Sequence, residues 1–72
     1  MYRVFKSTVF YSDVIFHFPE TISFKEIKAN MKTQYLTEND FVGKFTYNQK
    51  YLDLMECAEI NGKTYYYLHL FN

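Results

Sequence analysis

At 72 residues the chain has room for one domain and one small core, so most of its apolar residues are committed to folding and a second domain is excluded. Eight Phe and eight Tyr bring aromatics to 22%, with no Trp, two Gly and one Pro, a composition that excludes a disordered chain. Eight basic residues balance eight acidic ones, which weakens any long-range pull toward phosphate backbones or anionic membranes, and a single cysteine, Cys57, excludes an internal disulfide.

Residues 2 to 11 and 14 to 18 are rich in Val, Ile, Phe and Tyr, with Ser12-Asp13 between them, and predict a β-hairpin that Pro19 ends. Its first residues lack an uninterrupted apolar run and a small-residue cleavage site, and no later run approaches a membrane span. The expectation is a protein neither exported nor inserted, resident in a reducing cytoplasm. Next comes a well-punctuated helix. Ser23 precedes Glu26 by three residues, the capping-box spacing, and Ile22 and Ile27 hold the two positions of a hydrophobic staple. The helix is predicted over Phe24 to Tyr35, with Phe24, Ile27, Met31 and Tyr35 as a core stripe and Lys25, Lys28 and Lys32 along its border.

Thr37-Glu38-Asn39-Asp40 is a polar break, after which Phe41, Phe45 and Tyr47 alternate with Val42, Lys44 and Thr46 as a strand does. Asn48-Gln49-Lys50 can turn the chain into Tyr51 to Ile60, which fits two periods. Tyr51, Leu54, Met55 and Ala58 would line a helix face, yet the Asn61-Gly62 turn that follows needs an extended partner, and a strand is the favoured reading.

Asn-Gly between apolar runs is the strongest local hairpin signal, and it sets a register. One face carries the pairs Ile60 with Lys63, Ala58 with Tyr65, Glu56 with Tyr67, Leu54 with His69 and Leu52 with Phe71. The other carries Glu59 with Thr64, Cys57 with Tyr66, Met55 with Leu68 and Asp53 with Leu70. Both faces are largely apolar, and one short helix covers only one of them, so the sheet is expected to curl or to meet a partner. The predicted fold is a single α+β domain, β-β-α-β-β-β, with an antiparallel sheet, one helix on one face and a C-terminal Asn-Gly hairpin.

No residue set has the spacing that a particular chemistry requires, and catalytic, cofactor and metal sites are all expected to be absent. His17 and His69 lie far apart in alternating apolar runs without further ligands at metal spacing. Cys57 stands beside Glu56 rather than a cation and reads as a small buried apolar residue. On a strand, Glu56 points away from Asp53 and Glu59, and isolated Gly43 and Gly62 make no phosphate loop.

A small chain without chemistry of its own acts by occupying a surface. The leading expectation is a protein-binding module, an inhibitor or adaptor of the kind that phages and mobile elements direct at host enzymes or defence complexes, working in the host cytoplasm if phage-encoded. Its interface is predicted at Tyr65, Tyr67, His69, Phe71 and Leu54, because aromatic rings give large contact area at low rotamer cost. One alternative is single-strand nucleic-acid binding, with bases stacked on the same aromatics and Lys25, Lys28 and Lys32 as backbone contacts, against which the balanced charge speaks. The other is a homodimer or larger homo-oligomer built on the same face.

Overall fold

The computed structural model describes residues 1–10, 12–31 and 36–70, with side chains described for 1–7, 13–30 and 36–70. It is a small α+β domain in which β1 (Tyr2–Phe10), β2 (Ser12–Pro19), β3 (Phe41–Phe45), β4 (Glu56–Ile60) and β5 (Lys63–Leu70) form one antiparallel sheet in the order β3-β1-β2-β5-β4. β1 and β2 pair as the predicted hairpin, Arg3 opposite Phe18 and Val4 opposite His17. Ser12 and Asp13 do not form its turn. They begin β2, Phe10 pairs with Ser12, and Lys6 on β1 reaches Asp13 at 3.3 Å. Pairing of Asp13 with Leu70 on β5, beside the Lys6 contact, keeps these residues in the strand although their local propensity favours a turn.

Helix α1 (Phe24–Met31) starts where the capping box predicts. The Glu26 N–H donates to Ser23 Oγ at 3.1 Å and the Ser23 N–H to Glu26 Oε1 at 3.3 Å, so each side chain satisfies an amide that the open helix end leaves without a partner. Ile22 and Ile27, the staple, are both fully buried. Residues 32–35, including Lys32 and Tyr35 of the predicted helix, lie outside the described residues, as does the Met31 side chain. Ser23→Ala is expected to cost about 1 kcal/mol and Ser23→Asp much less, read as a lower urea midpoint at unchanged m.

β2 is the central strand, and its two faces organise two layers. Phe18 points to the α1 side, where it joins Phe5, Ile22, Ile27, Leu36 and Ile60 in the core, with Phe16, Phe24 and Tyr65 packed against them. Its ring lies 5.9 Å from Phe5, 5.7 Å from Phe16 and 5.1 Å from Tyr65. His17 points to the other side and is 2% exposed. Its cover is a segment that the strand reading of Tyr51 to Ile60 misses.

That reading holds for the second half only. Gln49–Leu52 is a single helical turn, α2, capped by Asn48, whose Oδ1 accepts from the Tyr51 N–H at 2.9 Å, and β4 begins at Glu56. The local cap and the burial of Leu52, 2% exposed, outweigh extension of the strand. The pairs from Ile60↔Lys63 to Glu56↔Tyr67 therefore form as predicted, whereas Met55 with Leu68, Leu54 with His69 and Asp53 with Leu70 are not ladder pairs, and Leu52 with Phe71 falls outside the described residues. Leu52 is instead buried within this connection, while Tyr47 and Tyr51, whose rings stack at 4.8 Å, pack on His17 of the second face. The β3–β4 connection thus covers the part of the second face around His17 from within the chain, and leaves Cys57 exposed on it.

At the other end of β4 the turn is as expected, with Asn61 at φ 52° and Gly62 at φ 78°, the positive values that a two-residue type I′ turn needs at both positions. The turn is tied to the start of α1. Asn61 Nδ2 donates to Glu26 Oε2 at 3.1 Å, and Lys63 Nζ donates to the Thr21 carbonyl at 2.7 Å and lies 3.5 Å from Glu26 Oε1. Glu26 therefore serves both its own helix cap and the distant hairpin. The Asn61 hydrogen bond first, then the Ser23 amide and Lys63, hold its carboxyl below the usual range.

Candidate functional site

The candidate site grows from a mismatch in strand length. The ladder of β4 with β5 ends at Glu56↔Tyr67, yet β5 runs on to Leu70. Beyond that point residues from both faces of β5, Tyr67 and His69 on one and Leu68 on the other, flank a strand edge that β4 no longer covers. Leu54, in the bend between α2 and β4, stands at the lip. Leu54, Glu56, Tyr67, Leu68 and His69 together line a shallow groove of about 250 Å³.

Leu54 is 80% exposed, the most exposed large apolar side chain among the described residues. Two backbone hydrogen bonds hold the bend that presents it, Leu54 N–H to the Tyr51 carbonyl at 3.2 Å and Met55 N–H to the Leu52 carbonyl at 3.0 Å. Tyr67 is half-buried, its ring 6.3 Å from Phe16 and 5.7 Å from His69 in an edge-on contact. His69 is exposed, and its Nε2 lies 3.6 Å from Glu56 Oε2, an ion pair whenever the imidazole is protonated. The groove therefore has apolar walls and a polar rim, which is the layout of a protein interface in miniature.

Three of the five predicted interface residues, Leu54, Tyr67 and His69, come together here. Tyr65 does not belong with them. It packs on Phe18 and the core, and burial, followed by the neighbouring Tyr67, pushes its phenol above the ordinary range. The predicted stripe shares one sheet face, as the register requires, but α1 covers the Tyr65 end of that face and leaves the His69 end open. Phe71 lies outside the described residues. Sequence reasoning missed Glu56 and Leu68 as groove residues, because only the early end of β4 brings both faces of β5 to one edge.

Of the lysines expected as nucleic-acid contacts, Lys25 and Lys28 lie elsewhere and Lys32 falls outside the described residues. Lys25 and Lys28 are exposed on α1, and Lys28 Nζ sits 5.8 Å from the centre of the Phe24 ring, so its stem runs along apolar surface as a solvated border does. Cys57 is exposed on β4 rather than buried, because β4 is an edge strand with no layer over that part of its outer flank. Among the described residues no group of three or more His, Cys, Asp and Glu side chains could hold a metal ion, and no helix is long and apolar enough to cross a membrane.

A second concave surface, about 280 Å³, lies between β1, β3 and α1 and is lined by Arg3, Phe5, Phe24, Glu38 and Phe41. The Arg3 guanidinium is already engaged there, donating from Nη2 to the Ile22 carbonyl. Beside it the outer strand β3 exposes Phe41 and Val42, but Lys44 and a register shift between Val4 and Phe5 interrupt the edge, both devices that discourage strand-to-strand pairing. No protein-family model, curated protein or solved structure matches the chain.

Proposed function

We propose that the chain is a protein-binding module that takes a segment of a larger protein into the groove of Leu54, Glu56, Tyr67, Leu68 and His69, and that it inhibits or recruits that protein by occupying its surface. The observation that carries this reading is Leu54, a leucine 80% exposed and held by backbone hydrogen bonds beside two aromatic rings. A large apolar side chain fixed in water costs free energy unless another molecule covers it. The groove pairs His69 with Glu56 but is lined by no Ser, Thr, Cys or Lys that this pair could activate, which favours binding over catalysis. An exposed, unpaired Cys57 suits a reducing cytoplasm.

Leu54→Asp puts a charge at the lip without touching the core. It is expected to weaken partner capture from the cell that encodes the chain at least about 30-fold, the loss of one hot-spot residue, while the unfolding midpoint stays within error. Lys25→Ala, on α1, is the control that keeps capture. Loss with Lys25→Ala and retention with Leu54→Asp would move the interface to the helix. Light scattering on the purified chain identifies the partner as a second copy if the mass doubles and Leu54→Asp restores the monomer.

A further inference from the structure

The β3–β4 connection is held on the second sheet face by few residues. Leu52 is buried, Tyr47 and Tyr51 stack on one another, and beneath them lies His17, its ring 4.9 Å from Tyr47 and 6.4 Å from Tyr51, edge-on to both. The His17 Nδ1 is buried and has no hydrogen-bond partner among the described residues. Among the described residues the rings that contact it are tyrosines. Tyr66 on β5 is its strand partner, Tyr2 on β1 stands 6.0 Å from Tyr47 and 6.2 Å from Tyr66, and Tyr47 and Tyr51 lie above. The charged residues of the cover, Lys50 and Asp53, are exposed, and Asp53 accepts from Gln49 Nε2 at 2.8 Å. No charged side chain among the described residues acts on the imidazole.

We infer that residues 46–55 form a clasp that opens on acidification, with His17 as its proton sensor, and that opening withdraws Leu54 from the groove. This regulation rests on the groove being the binding site, but opening itself is a property of the free chain. A neutral imidazole fits this site, because only one nitrogen then carries a proton. A protonated one needs two acceptors and a counter-charge. The faces of two tyrosines compensate less than burial removes.

Burial is the dominant influence and pulls the folded imidazole below its ordinary 6.5, with the Ile15 backbone pulling weakly the other way. The open clasp, with His17 in water, then binds the proton more tightly than the closed one. Closure is therefore fully favoured above 6.5 and is lost as the pH falls from there through the depressed folded value. The hinge is mechanically suited to this, because α2 is one turn long and the backbone hydrogen bonds of Leu52 to Met55 all close within residues 48–55.

Amide hydrogen exchange between pH 7.5 and 5, corrected for intrinsic rates, tests the inference together with the ring signals of both histidines by NMR. Protection at Leu52 to Met55 is expected to be lost progressively as the pH falls, with a midpoint that follows the His17 ring, while β1, β2 and β5 amides stay protected. His17→Phe, which keeps a buried ring and cannot titrate, is expected to make the clasp insensitive to pH. A clasp protected to pH 5, one that opens only together with the whole sheet, or one whose midpoint follows His69 overturns the inference. Should His17→Phe not fold, the match of midpoints in the unaltered chain decides. If the clasp opens as described but Leu54→Asp leaves capture intact, the groove reading fails and the switch stands.

Discussion

Phe18→Ala is expected to leave the chain largely unfolded at room temperature, read as loss of a cooperative urea transition by circular dichroism. Phe18 is fully buried on the central strand and touches three other aromatic rings, so its removal deletes contact on every side and leaves a cavity that a five-stranded sheet cannot close. Phe-to-Ala changes in such positions cost about 3–5 kcal/mol, and a single core in a domain this small supplies about the same in total. Survival of a sharp transition with a loss under about 1 kcal/mol would mean that the centre of the core lies elsewhere.

The second large effect separates two leucines only two positions apart. Leu52→Ala is expected to cost about 2–5 kcal/mol and Leu54→Ala less than about 0.5 kcal/mol, both from urea midpoints at constant m. Leu52 is 2% exposed, buried within the clasp, whereas Leu54 is 80% exposed. Were Tyr51 to Ile60 one continuous strand, the two side chains would share a face and their costs would be alike. Equal costs would therefore contradict the α2 turn.

The elements that could be read from the chain are those whose signals are local. Ser23 with Glu26 and Asn61 with Gly62 each satisfy or bend the backbone within four residues, so the start of α1 and the last hairpin follow from them with the register down to Glu56↔Tyr67. Tyr51 to Ile60 carried two periods at once, and which one held at each end depended on Asn48 capping one side and Leu52 finding a buried place. The sheet face on which Tyr47 and Tyr51 dock brings together Val4, His17 and Tyr66 from three different strands, a juxtaposition no short window contains.

The same holds for the site. Sharing of a face by Tyr65, Tyr67 and His69 was legible from alternation alone. Which end of the face α1 would cover was not, because it depends on the hairpin turn docking at Glu26 and Thr21, and that contact places Tyr65 under the helix and leaves His69 in the open. Cys57 was misread for a related reason. With Glu56 rather than a cation beside it, it reads as a small buried apolar residue, and its exposure follows from the edge position of β4 in the strand order.

Site-specific photo-crosslinking in the cell that encodes the chain tests the central claim most directly, with a benzophenone side chain placed at residue 54 in one version and at residue 25 in another. A discrete adduct from position 54, absent from position 25 and abolished by His69→Ala with Tyr67→Ala, is the predicted result. Adducts from position 25 alone, or none from position 54 in a chain shown to be folded, would contradict binding through the groove.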